Sequence, residues 1–218
     1  MAVRAAVELV APGMRLGLGS GRAVWAAVRA LATGAAGPEL VVCAAPETVR
    51  LAREAGLAVA SLEQAPELDL ALDGADEVTR ALAVLKGGGG ALLREKLVIE
   101  AAGRCVIVAE TGKLVAQLGE HRRLPVEVVR FGWSRTRLRL LDVLDDALLR
   151  AAPDGAPFVT DEGHHILDCA LPAAADLAAL AHAVKATTGV VEHGLFLTHA
   201  HEALLGAPDG SLVRLVRP

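Results

Sequence analysis

The chain has 218 residues, is 53% apolar and carries a formal charge of −4. That length buries a full core, as one large domain or a domain with a smaller companion, which excludes a disordered tail or a simple coil. With no basic field to draw it onto nucleic acid or an anionic membrane, small soluble ligands are the better partners.

Residues 1–10 include Arg4 and Glu8 and lack a sustained apolar run with a small-residue cleavage site, so no secretory signal is read there. No later stretch stays uncharged long enough to span a bilayer. The three cysteines, Cys43, Cys105 and Cys169, are scattered in apolar runs and read as buried reduced thiols, which implies a cytoplasmic compartment.

In chain order, residues 2–10 have helical spacing and end at Pro12 and Gly13. Residues 14–18 read as a short buried strand that runs into a glycine-rich loop, and residues 23–31 as the helix after it. Strand, glycine loop and helix open an α/β unit. Residues 40–44 form the next strand, 47–55 a helix closed by Gly56, 57–60 another strand, and 68–72 a further one. A helix over 91–102 and a strand over 104–109 continue the alternation, which predicts a mostly parallel sheet with helices on both faces. From about Pro125 the texture changes. Shorter strands are expected at 126–129, 158–160 and 166–169, with helices at 137–151 and 173–186, making a second, smaller α+β unit. Pro208-Asp209-Gly210 followed by residues 211–216 predicts a terminal hairpin. The expected division is 1–124 for the larger unit, 125–196 for the smaller one, and 197–218 returning to the first.

Ligands of an open parallel sheet bind beyond the carboxyl ends of its strands, and three unusual segments sit at such ends. The first is Gly17-x-Gly19-x-Gly21, whose amides and following helix N-terminus favour an anion such as phosphate. A tight turn with no ligand is the plain alternative. A dinucleotide fingerprint is disfavoured, because the third glycine falls one position early and no clean acidic residue ends the next strand. The second is Asp73-Gly74-Ala75-Asp76-Glu77, which aims Asp73 and Asp76 at one crevice while Glu77 faces elsewhere; a solvated loop or helix cap is the ordinary reading of such acids. The third is Lys86 followed by Gly87, Gly88, Gly89 and Gly90. Four glycines in a row cost backbone entropy, so the chain needs positive φ or a close approach there. Glu95, one turn into the next helix, leans back over the loop, since helical side chains tilt toward the N-terminus. A lysine, backbone amides and a carboxylate can hold a polyol while a proton moves. Otherwise Arg94-Glu95-Lys96 is a charge cluster on a solvated helix face. His199-x-His201 and His164-His165 lack a third ligand at suitable spacing and read as surface or packing residues rather than a metal site.

Asp-Gly-Ala-Asp-Glu at 73–77 and Lys-Gly-Gly-Gly-Gly-Ala-Leu-Leu-Arg-Glu-Lys at 86–96 together resemble ribose-5-phosphate isomerase of the A type. Supporting matches run along nearly the whole chain: Leu-Pro-Val-Glu-Val from Leu124, Val-Thr-Asp from Val159, Ile-Leu-Asp from Ile166, Gly-Val-Val from Gly189, Gly-Leu-Phe from Gly194, and Pro208-Asp209-Gly210. The resemblance implies a Rossmann-like domain with an inserted, ferredoxin-like α+β domain. It implies a metal-free aldose–ketose isomerase with no cofactor, assembled as a dimer or tetramer. It also implies Glu95 as proton acceptor, and Asp73, Asp76, Lys86 and Lys113 as substrate contacts, with neighbouring Gly74, Ala75, Gly87, Gly88 and Gly89 lining the site. The first loop departs from the family: its usual Thr-Gly-Ser-Thr is Ser20-Gly21-Arg22-Ala23 here, so Arg22 is expected to take over the phosphate contact of the lost hydroxyls. A related phosphosugar enzyme, or a non-catalytic sugar-phosphate sensor, are the alternatives. The sequence leaves open which of Asp73 and Asp76 does what.

Overall fold

Short apolar runs bounded by glycine or proline make the strands, and amphipathic runs between them make the covering helices. The computed structural model describes residues 1–32, 37–173 and 175–217. Helix α1 (Ala2–Val7) precedes β1 (Arg15–Leu18), α2 (Arg22–Ala32), β2 (Leu40–Cys43), α3 (Pro46–Glu54), β3 (Val59–Ala60) and β4 (Leu70–Asp73). Then come two very short strands, β5 (Glu77–Thr79) and β6 (Val84–Leu85), followed by α4 (Leu92–Glu100), β7 (Cys105–Glu110) and β8 (Leu114–Val115). The next stretch runs through β9 (Leu124–Val128), α5 (Trp133–Leu140), β10 (Asp146–Leu149), β11 (His165–Ala170), α6 (Leu177–Ala186) and β12 (Val190–His193). Strands β13 (Leu195–Phe196), β14 (Glu202–Gly206) and β15 (Leu212–Val216) complete the chain.

The main sheet has seven strands in the order β15-β14-β7-β4-β1-β2-β3, parallel except for β15, which closes the terminal hairpin against β14. Strand order reverses between β1 and β4: β2 and β3 lie to one side, β4, β7 and β14 to the other. Such a switch point opens a crevice at the carboxyl ends. One face is packed by α1 and α2 through buried Leu16, Leu18, Val24, Val28, Leu72 and Val106; on the other, Ile99 from α4 meets Ile107, Phe196 and Leu205. A second sheet, β10-β11-β9-β12, is antiparallel and carries its own core of Val126, Val128, Leu140, Leu167 and Val184. A third, β13-β6-β5-β8, is assembled from strands dispersed along the chain and had no separate signal, because strands of two or three residues show no periodicity.

Three expected elements differ. The helix expected over 137–151 stops at Leu140, and Asp146–Leu149 becomes a strand paired with β11. Asp142, Asp145 and Asp146 are disfavoured at the negative end of a helix, while pairing with β11 buries Ala147 and leaves Leu148 exposed. Residues 158–160 join no ladder; the Phe158 ring stands against Gly90 of the glycine loop, and Thr160 Oγ1 donates to Glu127 at 2.8 Å. The helix expected from 173 begins at Leu177, where Asp176 caps it by accepting from Ala178 N at 3.0 Å and Ala179 N at 3.2 Å; residue 174 lies outside the described residues.

Candidate active site

The carboxyl ends of β1, β4 and β7 and the glycine loop after β6 surround a cavity of about 520 Å³. Residues 20–23, 74–76 and 86–89, with Glu95 and Lys113, line it, so nearly every residue singled out in the sequence meets there. Asp73 does not. It is 0% exposed and sits behind the wall, because β4 continues through it and Gly19 lets it come close. A Cβ on Gly19 would stand 1.9 Å from Asp73 Oδ1, so no larger residue fits there without displacing the carboxylate.

Lys86 joins the three charges of the site. Its ammonium lies 2.9 Å from Asp73 Oδ1 and 3.2 Å from Glu95 Oε2, and it donates to Gly74 O at 2.8 Å. Burial would lower its pKa, but the Asp73 and Glu95 carboxylates outweigh burial and raise it, so the cation persists. Its own backbone N–H donates to Gly194 O at 2.9 Å, and a Cβ on Gly194 would come within 2.1 Å of Lys86 O. That glycine, quoted above only as part of a motif, is therefore required by the close approach of β6 and β13.

Asp73 Oδ1 accepts from Gly74 N at 2.7 Å, from Ser20 N at 3.3 Å and from Lys86, whereas its Oδ2 is buried without a partner. Burial and then the Glu95 charge push Asp73 up to about 7 against the pull of Lys86. Asp76 differs. It is partly exposed on the cavity wall and accepts from Gly88 N at 2.7 Å. Glu77 faces away from the cavity, as expected, and is a structural carboxylate: it accepts from Gly119 N at 2.6 Å, His121 N at 2.6 Å and Arg122 N at 2.8 Å.

The glycine loop meets both needs inferred for it. Gly87 and Gly90 have φ of +106° and +88°, and a Cβ on Gly88 would meet Asp76 Oδ1 at 2.8 Å. Glu95, in the first turn of α4, is 4% exposed, and Ser20 Oγ donates to its Oε1 at 2.5 Å. The hydroxyl left in the first loop is therefore committed to Glu95. It has become an orienting group for the carboxylate. Arg22 opens α2 with its side chain 84% exposed, 3.9 Å from Glu110 Oε1, which also lines the cavity. Glu110 had a usable signal, its position at the end of a sheet strand.

The histidine pairs have other partners. His164 faces Glu127 at 3.0 Å, His165 faces Phe158 O at 2.8 Å, His199 packs against the Phe196 ring, and His201 Nδ1 accepts from Cys105 N at 3.1 Å. Among the described residues no helix is long and apolar enough to cross a membrane.

A family model described as ribose 5-phosphate isomerase A (phosphoriboisomerase A) matches residues 40–210. A protein of Synechococcus sp. (strain JA-3-3Ab) named ribose-5-phosphate isomerase A is 46% identical over 213 residues, covering 96% of this chain and 93% of that one. One of the same name from Caulobacter vibrioides (strain NA1000 / CB15N) is 47% identical over 216 residues, covering 97% and 94%. Among solved structures, ribose 5 phosphate isomerase A from Neisseria gonorrhoeae superposes with a TM-score of 0.92 at 30% identity, over 100% of this chain and 95% of that one. A D-ribose-5-phosphate isomerase in complex with phospho-erythronic acid gives 0.93 at 29% identity, over 99% and 96%.

Proposed function

The chain belongs to the ribose 5-phosphate isomerase A family, and from that premise we propose that it interconverts ribose 5-phosphate and ribulose 5-phosphate through a cis-enediolate, with Glu95 as the base. The observation that carries this reading is the buried Asp73–Lys86–Glu95 array, whose Glu95 end opens onto a cavity large enough for a pentose phosphate.

The reaction moves one proton between neighbouring carbons. With the sugar ring open, Glu95 removes the proton on C2 of the aldehyde form and returns it to C1. Ser20, donating to Oε1, and Lys86, 3.2 Å from Oε2, together restrict how the carboxylate can turn. Negative charge gathers on the enediolate oxygens meanwhile. Lys86 and the glycine-loop amides stabilise it, and being already fixed they reorganise little as it develops. Asp76, on the wall, moves the proton between O1 and O2, while Asp73 sets the position and charge of Lys86 from behind. The phosphate binds at the N-terminus of α2, where Gly21, Arg22 and Ala23 line the cavity, with Arg22 and Lys113 as cations. The working unit is taken to be a cytoplasmic dimer or tetramer, which sedimentation of the purified protein checks.

A coupled assay for ribulose 5-phosphate on the wild type and on Glu95→Gln tests the reading. Turnover by the wild type and a loss of about 1,000-fold or more in the variant are expected. An inactive wild type, or a fully active variant, overturns it. For the phosphate contact, Arg22→Ala is expected to raise KM roughly tenfold with little change in kcat, and an unchanged KM refutes it.

A further inference from the structure

The second sheet meets the glycine loop through a side chain that none of the motifs above includes. Arg150 follows β10 and is 14% exposed at its side chain. Its Nη1 donates to Gly87 O at 2.8 Å and to Gly88 O at 3.1 Å. The other edge of the guanidinium is held by Asp168 of β11, with Nε to Oδ2 at 2.9 Å and Nη2 to Oδ1 at 2.5 Å. The flat ion also lies 5.7 Å from the centre of the Phe158 ring, and that ring stands against Gly90, where a Cβ would meet it at 2.6 Å. A bidentate pair of this kind fixes the plane of the guanidinium as well as its position.

The consequence lies on the opposite side of the loop. A trans peptide points its C=O and the next residue's N–H in opposite directions, and the described residues contain no cis peptide. Drawing Gly87 O toward Arg150 sends the Gly88 N–H the other way, and it does donate to Asp76 Oδ2 at 2.7 Å. Drawing Gly88 O to the same guanidinium sends the Gly89 N–H to that side too, where Gly89 and Asp76 both line the cavity. Resting on the isomerase reading given above, we propose that Arg150, oriented by Asp168, is a positioning residue that turns the Gly89 amide toward the enediolate oxygens. It touches no substrate. Its effect is to aim a donor at charge that exists only as the proton moves, so it should act on kcat and leave KM nearly alone.

Steady-state kinetics of Arg150→Ala, Arg150→Lys and Asp168→Asn test this, alongside the inhibition constant of a four-carbon phosphorylated sugar acid, whose planar carboxylate presents two oxygens as the enediolate does. For Arg150→Ala we expect kcat to fall roughly 10- to 100-fold with KM within about threefold, and the inhibitor to weaken in parallel with kcat. Arg150→Lys, which can reach one carbonyl but cannot also hold Asp168 bidentately, should recover part of both, and Asp168→Asn should lose less than Arg150→Ala. Thermal unfolding of each variant gives the folded fraction by which rates are corrected. A corrected kcat and an inhibitor constant that match the wild type refute the proposal, as does a loss confined to KM. An inactive wild type would refute the isomerase reading instead, so the two failures are distinguishable.

Discussion

Replacing Lys86 with methionine keeps an unbranched side chain of similar length and removes the cation that lies between two buried carboxylates. Lys86 Nζ is 2.9 Å from Asp73 and 3.2 Å from Glu95, and none of the three residues is more than 4% exposed. At an effective dielectric constant of about 20, each contact carries roughly 5 kcal/mol of attraction, most of it offset by the cost of burying the charges. What the variant loses is therefore nearer the 3–5 kcal/mol, approximately, seen when one partner of a buried ion pair is deleted. Asp73, already raised by burial, limits that loss by taking up a proton at low pH. The loss in unfolding free energy should be about 4 kcal/mol near pH 8 and clearly smaller near pH 5. Turnover should fall by about 100- to 1,000-fold, because a donor aimed at the developing oxyanion is gone. Urea unfolding at the two pH values and the coupled ribulose 5-phosphate assay across the range measure both effects. A destabilisation independent of pH, together with kcat within threefold of the wild type, would show that Lys86 does not neutralise the pair.

Asp73 is raised to about 7 by burial and by Glu95, so the stability due to its tightly held proton is present below the unfolded value near 4 and is lost as pH climbs to about 7. The wild type should lose up to about 4 kcal/mol relative to Asp73→Asn across that window, and parallel urea-unfolding curves with pH would contradict this. Glu77→Ala leaves the amides of Gly119, His121 and Arg122 without their acceptor and should cost about 3–5 kcal/mol, read as a fall in Tm of roughly 10 °C with KM unchanged. Burial pushes the Cys43, Cys105 and Cys169 thiols up to about 12, so a disulfide reagent at neutral pH should titrate none in the native protein and all three after unfolding in urea. Rapid native labelling of any of them would show that segment to open.

Local patterning by itself determined the alternation of strands and helices in the large sheet, the glycine loop before α4, and the segments at strand ends where a ligand would bind. Those features follow from steric and hydrophobic rules acting over a few residues, which is why the run from Gly87 to Gly90 is legible in the sequence as a demand for unusual backbone. Only the tertiary structure decided what each charged group does, since the deciding contacts join residues far apart in the chain. Ser20 reaches Glu95 across 75 positions, and Arg150 reaches the Gly87 carbonyl across 63. Asp73 and Asp76 look equivalent in sequence, yet the end of β4 buries the first behind Lys86 and the turn after it sets the second on the cavity wall. Residues 137–151 failed as a helix for the same reason: pairing with β11 buries Ala147, and no periodicity within the segment reports the presence of that partner strand. Burial and charge in this protein depend on which distant backbone closes over a side chain, and a linear pattern of residue types carries no record of that.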